Sequence, residues 1–251
     1  MAGHSKWSKV KRFKGALDAK RGKLFSKLSK EITVAARLGG GNPSSNPRLR
    51  AAIQAARTQS MPNDNVDRAI KKGTGELGSL TVEEIIYEGY APGGVALIVE
   101  AATDNKNRTA ADMRAIFTKN HGNLGGPGTV SFMFHRKGQI AIPISSASED
   151  RLFELAVEAG AEDLTNDGEH YIVTTPPEQL YAVSEALRHA SIEPDSQKLT
   201  YIPESSVAVE DARTAAQVLR LCDALDDCDD VLNVHANFEI PDDILAGAQD
   251  N

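Results

Sequence analysis

Cysteines and aromatic rings are scarce in this chain. Its two cysteines, Cys222 and Cys228, form no CxxC pair, so neither a zinc ribbon nor a disulfide framework is indicated, and reduced thiols in a cytoplasmic protein are expected. Aromatic residues make up 5% of the sequence with a single tryptophan, so stacking on a broad aromatic platform has few residues to draw on. No apolar run approaches the roughly 20 residues that cross a bilayer, and no membrane partner is expected. The N-terminus is positive, but no apolar stretch follows it as a secretory signal requires. It leads into a patterned helix and is read as part of the mature protein. Residues 122–128 hold four glycines but lack the GK[ST] ending of a phosphate-binding loop. The six histidines form no HExxH pair. The acidic cluster Asp223, Asp226, Asp227, Asp229 and Asp230 lacks the central glycine of a calcium-binding loop and reads as a solvated surface, with weak divalent binding as a lesser alternative. Together these absences argue against an enzyme, and no catalytic residue, metal or cofactor is expected.

What the chain does have is a lopsided charge. The net charge is −7, which by itself disfavours a nucleic-acid partner. Residues 1–72, however, hold 17 Lys and Arg against four acids, and the remaining 179 residues hold 11 against 31. Segregation on this scale points to a nucleic-acid partner for the first segment.

Hydrophobic periodicity supplies the architecture. Leu17, Leu24, Phe25, Leu28, Ile32 and Ala35 fall on one side of a helix that stops at Gly39-Gly40-Gly41. Asn46-Pro47 opens a second helix, striped by Leu49, Ala52, Ile53 and Ala56. Met61-Pro62 precedes a short third helix with Val66, Ala69 and Ile70. From about residue 80 strands alternate with helices. Strands are expected at 85–87, 95–99, 130–134, 139–144, 171–174, 199–202 and 231–238, with a hairpin turned by Asp167-Gly168 leading into the one at 171–174, and helices at 108–119, 149–158, 177–189 and 211–225. Residues 137–204 read β-α-β-β-α-β, a ferredoxin-like order. The expected fold is α+β: an N-terminal helical bundle at 1–78, then two ferredoxin-like α+β domains, one (79–136 plus 205–245) interrupted by the other (137–204).

Three segments are candidates for binding. Lys6, Lys9, Lys11, Arg12 and Lys14 form a basic arm with no acid before Asp18. Lys20, Lys23, Lys27, Lys30 and Arg37 follow on one face of the first helix, turned away from its apolar stripe, where mobile ammonium groups can track phosphates. Trp7 either stacks on a base or anchors the arm, and the sequence leaves both open. Residues 47–72 have a helix-break-helix form in which Asn63, Asn65, Arg68, Lys71 and Lys72 would face DNA, although the short third helix and Pro62 count against groove reading. The polar run Thr103, Asp104, Asn105, Lys106, Asn107, Arg108 and Thr109 is a second candidate site, a polar pocket for RNA, protein or a small ligand. Its simpler reading is a helix cap by Asn107 or Asp104.

The opening MAGHSKWSKVKRFKGALDAKRGKLFSKLSKEITVAAR resembles the start of the YebC family, which includes the mitochondrial translational activator of cytochrome c oxidase. NPRLRAAIQAA, MPNDNVDRAIKKG, YEGYAPGGVALIVEAATDNKNRTAADMR and VSFMF extend the resemblance over essentially the whole chain. Ala91 stands where the family usually has glycine, and Phe13 stands in a stretch that is usually basic. The resemblance implies three domains and a role in gene expression, either as a DNA-binding transcriptional regulator or in translation at the ribosome, including at proline-rich stall sites. It places binding at Lys6, Trp7, Lys9, Lys11, Arg12, Lys14, Lys20, Arg21, Lys23 and Lys27. The expected partner is DNA or ribosomal RNA, with the ribosome as a further candidate, and the protein is expected to be a monomer.

Overall fold

The computed structural model describes residues 19–78, 82–241 and 244. In chain order the helices are α1 (Ala19–Gly39), α2 (Pro47–Thr58), α3 (Asn63–Gly73), α4 (Lys106–Lys119), α5 (Glu149–Glu158), α6 (Leu180–His189) and α7 (Ala212–Asp226). The strands are β1 (Glu83–Ala91), β2 (Val95–Thr103), β3 (Asn123–Leu124), β4 (Phe134–Pro143), β5 (Asp163–Asn166), β6 (His170–Thr175), β7 (Ser196–Pro203), β8 (Val207–Ala208), β9 (Val231–Ala236) and β10 (Phe238–Glu239). Residues 136–201 form one compact unit, and the described residues on either side of them form another.

In the larger unit α2 and α3 both pack on α1. Ile32, Ala35 and Ala36 of α1 recur at helical spacing and meet Leu49, Ala52, Ile53 and Ala56 of α2 and Val66 and Ala69 of α3. Asn46 fixes the turn between α1 and α2. Its side-chain oxygen accepts from the Leu49 N–H at the start of α2, while its Nδ2 donates to the Ala35 and Gly40 carbonyls at 2.7 and 2.8 Å. One buried side chain thus satisfies orphan groups at both helix ends. A Cβ on Gly39 would lie 2.6 Å from that amide nitrogen, which accounts for the glycine.

The helices and the following sheet belong to the same unit, although the sequence divides them at residue 78. Strand order is β3-β1-β2-β9, with every neighbouring pair antiparallel. One face carries α4 and α7, whose Met113, Phe117, Val218 and Cys222 pack on Leu97 and Val99. On the other, Val34 of α1 meets Val82, Ala102 and Leu232. Val95 to Val99 read as an unbroken apolar run because both faces of β2 are covered. The layering is that of a ferredoxin-like sheet, but it opens with a hairpin. Gly93 and Gly94 turn at φ 78° and 75° and make β1 and β2 neighbours, where a strand-helix-strand unit would leave room for another strand between them.

The inserted unit has strand order β5-β6-β4-β7, the second, third, first and fourth strands of that unit, which is the ferredoxin-like order. Its core joins Ile140, Ile142 and Val173 to Leu152 and Ala156 of α5 and Val183 and Leu187 of α6. Asp167-Gly168 turns the β5–β6 hairpin, with Gly168 at φ 95°.

One expected strand is absent. Residues 131–133 form a 3₁₀ turn rather than part of a strand at 130–134. The buried Glu88 carboxylate accepts the N–H groups of Gly128, Val130 and Ser131 at 2.9, 2.7 and 2.8 Å, and so takes up donors that a sheet ladder would use. Burial pushes the Glu88 carboxyl upward, but the three amides together outweigh it and hold the group below the ordinary carboxylate range.

Candidate nucleic-acid interface

The basic face of α1 meets the acidic end of α7. Lys23 lies 3.1 Å from Asp227, Lys27 lies 2.8 Å from Asp226, and Lys30 lies 2.6 Å from both Asp230 and the Asp229 carbonyl oxygen. The reason is visible in α7. Asp223, Asp226 and Asp227 crowd its C-terminal turn, where the helix dipole disfavours negative charge, and the α1 lysines supply the compensation. The acidic cluster is therefore an internal partner as well as a surface. Among the described residues no group of three or more His, Cys, Asp or Glu is placed to hold a metal ion.

Arg37, at the far end of the same face, donates to the Val82 carbonyl oxygen. Arg48 of α2 binds Glu31 of α1 and Glu84 of β1 at 2.8 and 2.6 Å, which ties two helices to the sheet and raises its pKa. Five cations of the basic segment thus serve the docking of helices on the sheet. Arg57, Arg68 and Lys71 are exposed, and Lys72 is half-buried.

The second polar site converges on the same place. Asp230 has 7% side-chain exposure and receives four donors. Lys30 reaches one of its oxygens at 2.6 Å, and Thr109, Arg108 and Thr103 reach the other at 2.7, 3.0 and 3.3 Å. Burial opposes the charge, but these hydrogen bonds and the Lys30 ammonium bring the Asp230 pKa from 3.8 to about 2. Arg108 also pairs with Asp104 at 2.9 Å, which raises the pKa of its guanidinium further. The cap of α4 is Asn105, not Asn107 or Asp104: its side chain accepts the Arg108 N–H at 3.1 Å, because the helix begins at Lys106. Asn107 is exposed.

Between α1 and the sheet lies a cleft of about 480 Å³, lined by Lys30, Lys72, Arg108, Asp104, Asp112 and Asp229 among others. The structure therefore brings Lys23, Lys27, Lys30, Asp104, Arg108 and Thr109 to one junction. Lys6, Trp7, Lys9, Lys11, Arg12 and Lys14 lie outside the described residues, and the side chains of Lys20 and Arg21 do as well. Asp230, which the sequence placed in a solvated acidic cluster, is instead a buried organising residue, and Glu88 is one that pattern reading missed because nothing local marks its partners. No helix among the described residues is long and apolar enough to cross a membrane.

Residues 5–76 match a family model described as the TACO1/YebC protein N-terminal domain, and residues 82–238 match the TACO1/YebC second and third domain. A relative from Desulforapulum autotrophicum, described as a probable transcriptional regulatory protein, is 53% identical over 97% of this chain and 98% of its own. One from Chlorobium luteolum with the same description is 52% identical over the full length of both. The crystal structure of a conserved hypothetical protein from Aquifex aeolicus superposes with a TM-score of 0.86 at 52% identity, covering 96% of this chain and 99% of that one.

Proposed function

Because the chain belongs to the TACO1/YebC family, we propose that it is a nucleic-acid-binding regulator of gene expression that grips phosphates through its basic N-terminal segment. The observation that carries this reading is what remains after internal pairing. The acids of the α7 end and the sheet engage Lys23, Lys27, Lys30 and Arg48, and Arg37 is held by a carbonyl oxygen. The exposed Arg57, Arg68 and Lys71 are left to meet phosphates, and this reading assigns the same role to Lys6, Lys9, Lys11, Arg12, Lys14, Lys20 and Arg21 of the sequence. On this reading the lysines of α1 dock the bundle, and the arm and the outer bundle face bind the ligand. No reaction is involved, and the relatives are named as regulatory proteins rather than enzymes.

The transcriptional description of the relatives favours DNA. A second reading, structured RNA on the ribosome, is favoured by α3. A helix that reads the major groove presents its N-terminal residues to base edges. The first two turns of α3 instead expose Asp64 and Asp67, which phosphates repel. Phosphate contacts alone position a protein without reading sequence. Purified protein is therefore expected to discriminate poorly between DNA duplexes of different sequence and to co-sediment with ribosomes at moderate salt. A footprint on one promoter with a preference above about 10³ over random DNA, and no ribosome association, would establish the DNA reading instead.

A further inference from the structure

Phe132 is 71% exposed, more open than any other large apolar side chain among the described residues. In an extended strand it would share a face with Val130 and Phe134, both of which are buried. The turn at Ser131–Met133 reverses it outward. That turn is held firmly. Glu88 clasps Gly128, Val130 and Ser131 through its carboxylate and Gly125 through its carbonyl oxygen, while the Tyr90 hydroxyl donates to the Thr129 carbonyl oxygen at 3.3 Å. Thr129 closes the loop on Gly126 at 2.6 Å. A ring presented to water on a rigid loop has little ordering entropy left to lose on binding, which is the property of an aromatic anchor.

The charge around it in the chain indicates what it anchors. Residues 79–251 are acid-rich overall, yet residues 113–148 contain no Asp or Glu at all, and they carry Arg114, Lys119, Arg136 and Lys137. Arg114 and Lys119 of α4 are exposed, and Lys119 lies just ahead of the strand that enters the loop. In space the loop meets, besides Glu88, the acid Glu204, whose N–H donates to the Met133 carbonyl oxygen at 2.9 Å, and Lys137 is paired with Glu162 at 2.7 Å. The exposed cations of the stretch outside that pair, Arg114, Lys119 and Arg136, together with the open ring, suit a phosphate-linked base. Resting on the nucleic-acid reading above, we propose that the loop at 125–133 is a second nucleic-acid contact in which Phe132 stacks on an unpaired base. The ring face is sequence-tolerant, so this contact would select unpaired over paired nucleic acid without selecting a particular base.

The test uses the full chain and four fluorescent probes at one fixed salt: a single-stranded RNA and a single-stranded DNA oligonucleotide, and a duplex of each. Variants are Phe132→Ala, Phe132→Leu and Phe132→Trp. Because the ring is exposed, none should disturb the fold, which a melting curve verifies. Phe132→Ala and Phe132→Leu are expected to weaken binding of at least one single strand by roughly 5- to 150-fold. Phe132→Trp should preserve it, and duplex binding should stay within a factor of two throughout. The RNA and DNA arms tell which strand supplies the base. Equal binding by Phe132→Leu and wild type would reduce the contact to an apolar one and overturn stacking, as would unchanged binding by Phe132→Ala. If wild-type protein binds none of the probes even at low salt, the nucleic-acid reading itself fails, an outcome distinct from failure at Phe132 alone.

Discussion

Raising salt from about 50 to 200 mM is expected to weaken nucleic-acid binding by roughly 10³–10⁵-fold, the loss that accompanies neutralisation of some 6–10 phosphates. The cations this reading assigns to phosphates are those of the sequence at 6–14, Lys20 and Arg21, together with the exposed Arg57, Arg68 and Lys71. Each phosphate contact releases condensed counterions, and added salt opposes that release. The experiment also separates arm from stripe. Deleting residues 1–14 should flatten the salt slope strongly. Lys27→Gln should change it little, because Lys27 is paired with Asp226 at 2.8 Å. A binding constant nearly independent of salt would contradict phosphate-dominated binding.

Asp230→Ala is expected to destabilise the larger unit by about 3 kcal/mol, at the low end for removing one partner of a buried ion pair. The low end applies because Lys30 and Arg108 retain 27% and 49% side-chain exposure and can recover water, whereas Thr109 and Thr103 are buried and lose their acceptor. Thermal or urea unfolding measures this directly, and a change below about 0.5 kcal/mol, typical of an ordinary surface position, would show that the junction is not held there. The same carboxylate sets a pH dependence. Its folded pKa of about 2 lies below its ordinary 3.8, so the stability it contributes is present above pH 4 and is lost as pH falls from 4 towards 2. Glu88 is lowered as well and acts in the same direction. Asp230→Asn should be less stable than wild type at pH 7 and should lose less than wild type on acidification.

The elements were largely legible from local pattern, and the junction was not. Periodicity marks α1, α2 and α3 because their apolar residues return every three or four positions, and Asn46-Pro47 marks the start of α2. The run at Val95–Val99 marks a strand because it is short and flanked by turn residues. Helical spacing also places Lys23, Lys27 and Lys30 on one face, but it cannot say what that face meets. Their partners lie about 200 residues away, at a separation of 199 for Lys27 and 200 for Lys30. Acids gathered at the end of α7 were a usable signal, since they oppose the helix dipole and need compensation. The missing strand at 130–134 has the same kind of cause. Val130, Phe132 and Phe134 have strand alternation, and only the distant Glu88 carboxylate diverts the backbone into a turn. The cap of α4 falls at Asn105, one residue after Asp104 and two before Asn107, because all three are competent caps and the strand end at Thr103 decides among them.

The most direct test of the central claim is ultraviolet crosslinking of the protein in cells, with sequencing of the bound RNA and DNA and mapping of the crosslinked peptides. The account predicts recovery of nucleic acid well above a mock control, with crosslinked peptides concentrated in residues 1–72 and around Phe132. Recovery equal to the mock control, or crosslinks confined to the inserted unit at 136–201, would contradict it.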